Sequence, residues 1–521
     1  MKMLLQVMAI LVLIAGGCGG GSGGGSAGSG GIGSTGGGAS TASGTATLEG
    51  TCCSLGSSIF SQDSVRIPPG YVPAQGILVT CDLSTASATT DTGGRFKIQG
   101  VPPGGPCKVT FSVSGESRKT VTTATLKSGE TCNVTADGYS VVAVPPSRKQ
   151  WTYLCYIASD NDLGDPGNSE PNVSRNVIES MEKTGSTDLV NAVALLDERY
   201  SNTKFYYAKK DSDYSAITSP AEDYGQNMDT GDYKVLQSFV EKAMTLYPAE
   251  HYVLDVWDHG SGPRAKASRP RPRSICSDSV TGHQITVPQL GQVCSSASQR
   301  AGKALDILVL SACTMGDYEI MYEVKDSVSY FIASPSSLYG NMYIPSEPYD
   351  QFLTRLNSVT SGSGIAAAVQ AMAADTFKAH TDLMPADPHA FVAADLGKLN
   401  AFHGKFTSFA RLCKDALSSS KTELASLMAQ APQLGSGGDL YFFADKIRTS
   451  MSGDLASSAD ALAGAIVVGD GSLLLYSASN RSEWSGLKLL SVTLEALAPQ
   501  STYDDLTLAK DTDWESFLKG F

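Results

Sequence analysis

The sequence predicts an α/β protein with a mainly parallel sheet flanked by helices, preceded by a small all-β sandwich. Two observations lead to this fold class. From residue 151 onward, apolar runs of strand length alternate with stretches of helical periodicity, as in parallel strands covered by helices. Before that point, residues 46–146 hold only short runs rich in Val, Thr, Ile and Phe between Gly and Pro turns, which favours a sandwich. The 521 residues are enough for two or three domains.

The composition narrows the class of partner. The chain carries 39 Lys and Arg against 52 Asp and Glu, a formal net charge of −13. An acidic chain repels a phosphate backbone, so we expect no nucleic acid as a partner. Charged residues make up 17% and hydrophobic residues 42%, which excludes a coiled coil and a highly charged disordered chain.

Residues 1–18 have the features of an export signal. Lys2 precedes an apolar run over residues 3–15, which is too short for a membrane-spanning helix and suits a signal-peptide core. Small residues stand directly before Cys18, and this arrangement resembles the lipobox of bacterial lipoproteins. The resemblance implies that Cys18 carries a lipid that anchors the protein in a bacterial cell envelope, and Gly19 favours the outer membrane. The alternative is an ordinary secretory signal, cut elsewhere, and an extracellular product.

The next two segments are predicted to be a tether and the sandwich. Residues 19–45 are almost entirely Gly, Ser, Ala and Thr, which predicts a flexible linker. In the β region, the segments 90–96 and 100–104 resemble the carboxypeptidase-regulatory, prealbumin-like sandwich, a common accessory module. Its five cysteines are expected to form disulfides with one left over, or else to be buried thiols; they are Cys52, Cys53, Cys81, Cys107 and Cys132.

The region from residue 151 to 521 is expected to form the main α/β domain. Strands are predicted over residues 151–158, 189–196, 251–257, 305–312 and 329–333. Helices are predicted over residues 172–183, 234–247, 365–380 and 402–431. In such a sheet, ligands bind at the carboxyl ends of the strands.

Two predicted strands end at residues suited to nucleophilic catalysis. The strand at 251–257 runs into His259 and Gly260, and the strand at 305–312 runs into Cys313. Neighbouring strands lie about 4.8 Å apart, so both side chains can flank one substrate carbonyl. An imidazole can take the proton of a thiol and later protonate the leaving amine. The backbone N–H groups of Gly260 and Cys313 are the candidate oxyanion donors.

Taken alone, each of these residues could have a purely structural role. A single buried cysteine is usually inert packing, and the other five histidines lack a comparable context. A His and a Cys that both follow hydrophobic strand patterns are much less expected by chance, so the pair favours catalysis. The histidines expected to be structural are His251, His283, His380, His389 and His403.

Longer motifs around the pair resemble the clostripain family of cysteine endopeptidases. They are residues 156–163 (YIASDNDL), 181–186 (MEKTGS), 259–262 (HGSG), 312–316 (ACTMG) with Glu319, and 512–518 (TDWESFL). The resemblance covers residues 151–521 and implies a caspase-like fold and a peptide or protein substrate. It also implies His259 as the catalytic base and Cys313 as the nucleophile.

The sequence departs from that family where a basic substrate side chain would bind. The family's Asp two residues before the nucleophile is Ser311 here, and its acidic pair after Ala-Ser is Pro-Ser at 335–336. A hydroxyl cannot neutralise a cation, so we expect weak selectivity for Arg or Lys at P1 and acceptance of small or neutral residues. Asp160, Asp162 and Asp317 are the candidate carboxylates that could substitute.

Residues 263–273 form a basic, proline-rich stretch between the two catalytic segments. Activation loops near this place are cut at basic residues in the family, so cleavage here, with Lys266 as a suitable site, is an expected activation step. The alternative is a solvated basic loop. Cys276 and Cys294 follow and could pair in an oxidising compartment.

No metal-ligand spacing, Walker loop or dinucleotide fingerprint is present, so no metal site or cofactor is predicted from motifs. Calcium enters only through the resemblance, because some family members use it, and no EF-hand pattern is present. Two functions are therefore predicted. The first is an exported, lipid-anchored cysteine endopeptidase that acts through an acyl-enzyme, and the second is an inactive surface binding lipoprotein that retains the peptidase fold.

Overall fold

The computed structural model describes residues 44–56, 66–166, 173–213, 215–261, 274–338, 348–359, 362–435, 437–498 and 501–521. The predicted signal with Cys18, nearly all of the 19–45 tether and the basic stretch at 263–273 lie outside the described residues. No helix within the described residues is both long enough and apolar enough to cross a membrane. The chain divides after Ser147 into two compact units.

The described part of the first unit contains strands and turns, which confirms the predicted β character. The strands are β1 (Ala46–Leu55), β2 (Tyr71–Pro73), β3 (Leu78–Cys81), β4 (Ser84–Thr89), β5 (Arg95–Val101), β6 (Pro106–Val113), β7 (Glu116–Thr125), β8 (Thr131–Asn133) and β9 (Val142–Ala143). One sheet is built on β1, which pairs with β2, β5, β8 and β9, and the other has the order β4-β3-β6-β7. Along the first six residues of β6, every second side chain is buried. Side chains from both sheets pack into one apolar core, so the unit is a sandwich.

The disulfides expected in this unit are not formed. Its five cysteines are all buried, and none of them is in a disulfide. Burial raises the pKa of Cys52 to about 12, which keeps that thiol protonated and unreactive. The side chains of Cys52, Cys81 and Cys107 belong to the sandwich core, where a thiol packs as a small apolar group.

The second unit contains thirteen described strands and eleven α-helices. The strands are β10 (Lys149–Ser159), β11 (Val190–Glu198), β12 (Asn202–Tyr207), β13 (Ala221–Gln226), β14 (Ala249–Trp257), β15 (Ser274–Ser277), β16 (Gln284–Thr286), β17 (Leu305–Ser311), β18 (Val328–Ala333), β19 (Ala390–Asp395), β20 (Gly438–Asp439), β21 (Leu474–Ser479) and β22 (Ser491–Val492). The helices are α1 (Val173–Thr184), α2 (Tyr233–Leu246), α3 (Val287–Ala301), α4 (Tyr318–Val324), α5 (Tyr349–Ser358), α6 (Ile365–Leu383), α7 (Leu399–Gln430), α8 (Leu440–Ser450), α9 (Gly453–Ala463), α10 (Thr507–Asp511) and α11 (Trp514–Lys519).

A nine-stranded mixed sheet with the order β13-β12-β11-β10-β14-β17-β18-β19-β21 organises this unit. The five central strands, from β11 to β18 in that order, are parallel. They are the five strands that the sequence predicts. Two further strands extend the sheet at each edge and run antiparallel, and these four were not predicted.

The central strands are parallel because their sequences can be buried on both faces. Nearly every side chain of β10, β11 and β17 is buried, which is typical of strands covered by helices on both sides. Local signals then set the helix ends. Asp232 caps α2 by accepting a hydrogen bond from the Lys234 N–H, and Thr286 and Gln289 form a capping box at the start of α3. The carboxyl ends of the parallel strands consequently meet at one edge of the sheet.

The pairing of Cys276 with Cys294 is also not formed. Both are free thiols, Cys276 in the hairpin strand β15 and Cys294 in α3. Each is fully buried, and burial raises the pKa of Cys294 to about 12. Both therefore act as small apolar side chains in the packing.

Candidate active site

Two neighbouring parallel strands deliver His259 and Cys313 to the same edge of the sheet. β14 pairs with β17 so that Trp257 lies opposite Ser311. His259 and Cys313 each follow two residues later. The segments touch beyond the strands, because a Cβ atom on Gly260 would lie 2.3 Å from the carbonyl oxygen of Cys313. Only glycine fits there, so the residue after His259 permits the close approach of the two strand ends.

The imidazole of His259 is held by a carboxylate from a third strand end. Its Nε2 lies 2.8 Å from Oδ1 of Asp162, which follows β10, the strand next to β14. The pKa of Asp162 is lowered overall. Burial alone would raise this pKa, but the hydrogen bond to His259 and the charge of its ring are among the effects that outweigh burial. The sequence indicated Asp162 only as a substitute substrate carboxylate, whereas in the structure it contacts the imidazole.

A buried network fixes the backbone that carries His259. The preceding residue, Asp258, accepts a hydrogen bond of 2.7 Å from Nδ2 of Asn161 and one of 2.5 Å from the N–H of Ser277. Nδ2 of Asn161 also donates to the carbonyl oxygen of Ser277 at 2.9 Å. Burial is the main cause that raises the pKa of Asp258 to about 7. Sequence reasoning missed Asp258 and Asn161, although Asn161 lies inside the 156–163 motif and Asp258 directly precedes the 259–262 motif.

The thiol of Cys313 is engaged by backbone in the resting structure. Its Sγ donates to the carbonyl oxygen of Leu338 at 3.3 Å and accepts from the Leu338 N–H at 3.2 Å. Burial raises the pKa of Cys313, although the Leu338 N–H acts to lower it. No hydrogen bond between described residues joins Cys313 to His259. The next residue, Thr314, has a φ of 56°, a left-handed conformation that a β-branched side chain rarely adopts.

The proposed oxyanion donors lie where the two segments meet. Gly260 stands opposite Ile275 in an antiparallel bridge. That bridge is closed by the N–H of Ser261, which donates to the carbonyl oxygen of Ser274 at 3.0 Å. The bridge therefore does not use the Gly260 N–H.

A cavity of about 90 Å³ lies beside His259 and Cys313 and has mostly apolar walls. It is large enough for several water molecules or for part of a side chain. Its polar lining residues include Ser311, His259, Cys313 and Asp258. His380, which is partly buried, also lines it, and desolvation lowers the pKa of its ring to about 4, so the ring is neutral at pH 7. The apolar walls include Trp257, Val309, Ile332, Phe352 and Phe391.

Ser311 is bonded away from the cavity, to a carboxyl group behind it. Its hydroxyl donates to Oδ1 of Asp255 at 2.8 Å, and the Tyr153 hydroxyl donates to Oδ2 at 2.5 Å. Asp255 is fully buried, and burial raises its pKa to about 7 despite both hydrogen bonds. Asp255 does not line the cavity, and sequence reasoning missed it.

The other candidate carboxylates lie elsewhere in the unit. Asp317 is fully buried at the start of α4, and Asp160 is fully buried after β10. Neither lines the cavity beside Cys313. Ser336, from the Pro-Ser pair, is buried as well and accepts a 2.8 Å hydrogen bond from the Thr314 N–H through its carbonyl oxygen.

Comparison with known proteins gives one family. A sequence model of the clostripain family matches residues 155–519. Clostripain of Hathewaya histolytica is 26% identical over 238 residues, a match that spans 40% of this chain and 42% of that protein. An inactive zymogen C11 protease from Parabacteroides distasonis has a TM-score of 0.48 and 17% identity, covering 72% of this chain and 99% of its own. A secreted C11 cysteine protease from Bacteroides thetaiotaomicron, solved with an irreversible peptide inhibitor, has a TM-score of 0.48 and 18% identity over 71% and 99% of the two chains.

Proposed function

The chain belongs to the clostripain family, and on this premise we propose that it is a cysteine endopeptidase that cleaves peptide bonds through an acyl-enzyme. The observation that carries the proposal is the register of β14 and β17, which brings His259 and Cys313 to equivalent positions beyond two paired residues. A base and a thiol at adjacent strand ends can act on one carbonyl between them.

The proposed reaction uses both residues twice. His259 takes the proton of the Cys313 thiol, and the thiolate attacks the scissile carbonyl carbon. The N–H groups of Gly260 and Cys313 stabilise the negative oxygen of the tetrahedral intermediate. His259 then gives its proton to the leaving amine as the C–N bond breaks and a thioester remains. A water molecule deprotonated by His259 attacks the thioester, releases the carboxylic acid and restores the thiol, while Asp162 holds the imidazole in place throughout.

The substrate must first free the thiol. Cys313 exchanges two hydrogen bonds with the Leu338 backbone in the resting structure, and none with His259. Catalytic hydrogen bonds often form only in the substrate complex. We infer that a bound peptide displaces Leu338 from Cys313 and that His259 then reaches the thiol.

The cavity beside Cys313 is the proposed P1 pocket, and its walls favour a large apolar side chain. Aromatic and aliphatic groups form most of its walls, and Ser311 is bonded inward. The one carboxyl group among its lining residues, Asp258, accepts hydrogen bonds from Asn161 and Ser277, and burial raises its pKa to about 7, so it is a weak counter-charge for a cation. Burying an uncompensated guanidinium or ammonium costs several kcal/mol, whereas an apolar side chain gains about 25 cal/mol per Å² buried. The proposed substrate class is therefore a polypeptide with an aromatic or large aliphatic P1 residue.

The second candidate function is a binding protein that retains the fold without catalysis. The observation that favours it is the raised pKa of Cys313 together with its bonds to Leu338, because a resting thiol of this kind is a weak nucleophile. The intact His259 imidazole and its Asp162 partner favour the peptidase.

Anchoring and activation are further parts of the proposal. Cys18 would carry a lipid that holds the protein on the outer membrane, and the 19–45 segment would act as the tether. A Cys18→Ser variant should then move from the membrane pellet to the soluble fraction, because a lipid chain supplies the membrane affinity. Retention in the pellet after a high-salt wash would disprove the anchor. Cleavage within 263–273, for example after Lys266, is the proposed activation step.

Covalent labelling tests the proposed function directly. A peptide chloromethyl ketone with Phe at P1 should add one equivalent to wild-type protein, at Cys313, as located by peptide mass spectrometry. Cys276→Ala is the matched control, because it removes a buried thiol outside the cavity and should label normally. Absence of labelling at Cys313 together with absence of peptide hydrolysis would favour the binding protein.

A further inference from the structure

The cavity beside Cys313 extends across the sheet from the end of β17 to β19. Leu310 pairs with Ala333, and Ala333 pairs with Val392. The next residues beyond this row, Ser311 and Phe391, therefore stand level with each other, and both line the cavity. They lie two strands apart, which is about 10 Å at the usual strand spacing. Only a long P1 side chain can reach the β19 side of the cavity from the nucleophile.

The β19 side of the cavity includes His380, which comes from α6. The ring of His380 lies beside the ring of Phe391, with the two centroids 5.1 Å apart, and both residues line the cavity. Nδ1 of His380 also lies 2.9 Å from the carbonyl oxygen of Thr376, one helical turn earlier. These two contacts fix the orientation of the imidazole ring, so a ligand meets a ring that is already in place.

The contact with Thr376 determines which ring nitrogen of His380 carries the proton. A carbonyl oxygen can only accept a hydrogen bond, so Nδ1 is the donor. Desolvation lowers the pKa of His380 to about 4, and the ring therefore holds a single proton at neutral pH. Nε2 is then a hydrogen-bond acceptor. Because Nδ1 turns toward the helix backbone, Nε2 points away from it, on the side where His380 lines the cavity.

No residue in the described ranges donates a hydrogen bond to Nε2 of His380. The neighbouring His389 shows the contrast, because its two ring nitrogens both have partners. Nδ1 of His389 lies 2.9 Å from the carbonyl oxygen of Asp387, and Nε2 lies 2.8 Å from the hydroxyl of Thr381. An acceptor in an apolar environment is stabilised when it gains a donor, so Nε2 of His380 suits a donor supplied by a ligand.

The hydroxyl groups that line the cavity are already used within the protein. Thr376 donates to the carbonyl oxygen of Met372 at 2.9 Å, and Ser311 donates to Asp255 at 2.8 Å. Neither hydroxyl proton is left for His380. The β19 side of the cavity therefore presents a neutral acceptor among mainly apolar walls.

We propose that His380 makes this pocket selective for tyrosine at P1, with Nε2 accepting a hydrogen bond from the phenol hydroxyl. The inference rests on the proposed function, which assigns the cavity to the P1 side chain. A tyrosine ring suits the aromatic and aliphatic walls, and its hydroxyl is a donor at the far end of a long side chain. His380 would thus be a specificity-determining residue that touches the substrate.

The same acceptor distinguishes tyrosine from other side chains. Phenylalanine fills the pocket with the same ring but leaves Nε2 without a donor, which costs free energy in a site that excludes water. Lysine and arginine can donate to Nε2, but a neutral imidazole does not neutralise their charge. Serine and asparagine carry donors on side chains too short to cross from the end of β17 to His380.

Hydrolysis of matched peptides by the full chain tests the proposal. The peptides differ only at P1, which is tyrosine, phenylalanine or O-methyltyrosine. For wild type, kcat/KM should be about five- to tenfold higher with tyrosine than with phenylalanine, the effect of one neutral hydrogen bond. O-methyltyrosine keeps the oxygen but lacks the proton, so it should lose the advantage of tyrosine.

Two variants assign the preference to one residue. His380→Leu should bring the tyrosine-to-phenylalanine ratio close to one, because leucine fills similar space and accepts no hydrogen bond. His283→Leu, the same change at an exposed histidine outside the cavity, should keep the wild-type ratio. The thermal unfolding midpoint of each variant shows whether it is folded at the assay temperature.

The peptide comparison separates this proposal from the proposed function. A wild-type ratio below about twofold, or O-methyltyrosine cleaved as well as tyrosine, would overturn the role of His380 even if His380→Leu did not fold. An unchanged ratio in folded His380→Leu would overturn it too. In each of these cases peptides are still hydrolysed, so the endopeptidase stands. Absence of hydrolysis of all three peptides, with no labelling of Cys313, would overturn the proposed function and this inference with it.

Discussion

The Ser311 hydroxyl donates a hydrogen bond of 2.8 Å to the buried carboxyl group of Asp255, so it is bonded away from the cavity beside Cys313. The only hydroxyl proton of Ser311 is used in this contact, and a hydroxyl carries no charge that could neutralise a cation. The residue that stands where the family has an Asp therefore contributes to a neutral pocket wall.

Ser311→Asp should increase the relative turnover of substrates with Arg at P1. The new carboxyl would stand beside Asp255, and two adjacent carboxyl groups share a proton, so the pair keeps one negative charge that faces the cavity. We expect the Arg-to-Ala ratio of kcat/KM to rise at least about tenfold, which is about 1.4 kcal/mol. Ser311→Ala is the matched control and should give no gain for Arg. A wild-type preference for Arg of more than about a hundredfold, near 2.7 kcal/mol, would contradict this account of the pocket.

Asp162→Asn should lower kcat more than it changes KM. The Asp162 carboxylate bonds Nε2 of His259, and an amide cannot stabilise the imidazolium that forms during catalysis. The pair is solvent-exposed, with 43% of the His259 side chain and 69% of the Asp162 side chain accessible, so we expect a loss of about tenfold rather than a complete loss. Steady-state kinetics checks this, with Asp454→Asn as a control that should keep wild-type values. Unchanged kcat would show that Asp162 does not position His259.

Asp255 should make the protein less stable as the pH rises from about 4 to 7. Its folded pKa of about 7 lies above its unfolded value, so in this window the unfolded chain has released a proton that the folded chain still holds. The free energy of unfolding should fall through this range by up to about 4 kcal/mol from this group. Asp255→Asn should flatten the dependence in urea unfolding at pH 5 and pH 7.5. An equal slope in wild type and variant would contradict the assignment.

Alkylation of resting Cys313 by iodoacetamide should be slow at neutral pH and accelerate with alkali. Burial raises the pKa of this thiol, and only the thiolate reacts, so the rate should rise about tenfold per pH unit below the pKa. We expect no plateau below about pH 8.5, the ordinary thiol value. Rates measured by mass spectrometry at Cys313 give the profile. A plateau reached by pH 7 would mean that a thiolate–imidazolium pair already exists in the resting protein.

The central strands of the sheet could be predicted because their sequences are mainly apolar runs of strand length. Residues 149–159 and 305–311 are apolar on both faces, and a continuous apolar run followed by a helical pattern predicts a buried parallel strand. The edge strands could not be predicted, because β12 and β13 are short and mix buried with exposed polar positions. Their pairing depends on the neighbouring strand rather than on local pattern.

The sequence predicted those site residues that directly follow a strand pattern, but not those that reach the site from distant parts of the chain. His259 and Cys313 follow strand patterns directly, so their positions can be read locally. The cavity walls, such as Phe352 and Phe391, come from α5 and β19, and no local signal relates them to Cys313. The same holds for the link from Ser311 to Asp255, because it depends on the register of two strands.

The most direct test is peptide hydrolysis by wild type, Cys313→Ala and His259→Ala, with unfolding measured on the same samples. The account predicts that each variant loses at least about a thousandfold in kcat/KM, and that the double variant is little worse than either, because the two residues act as a unit. Stability should change by less than about 1 kcal/mol for Cys313→Ala, since the side chain is small and only partly buried. Full peptidase activity in the Cys313→Ala protein would contradict the account.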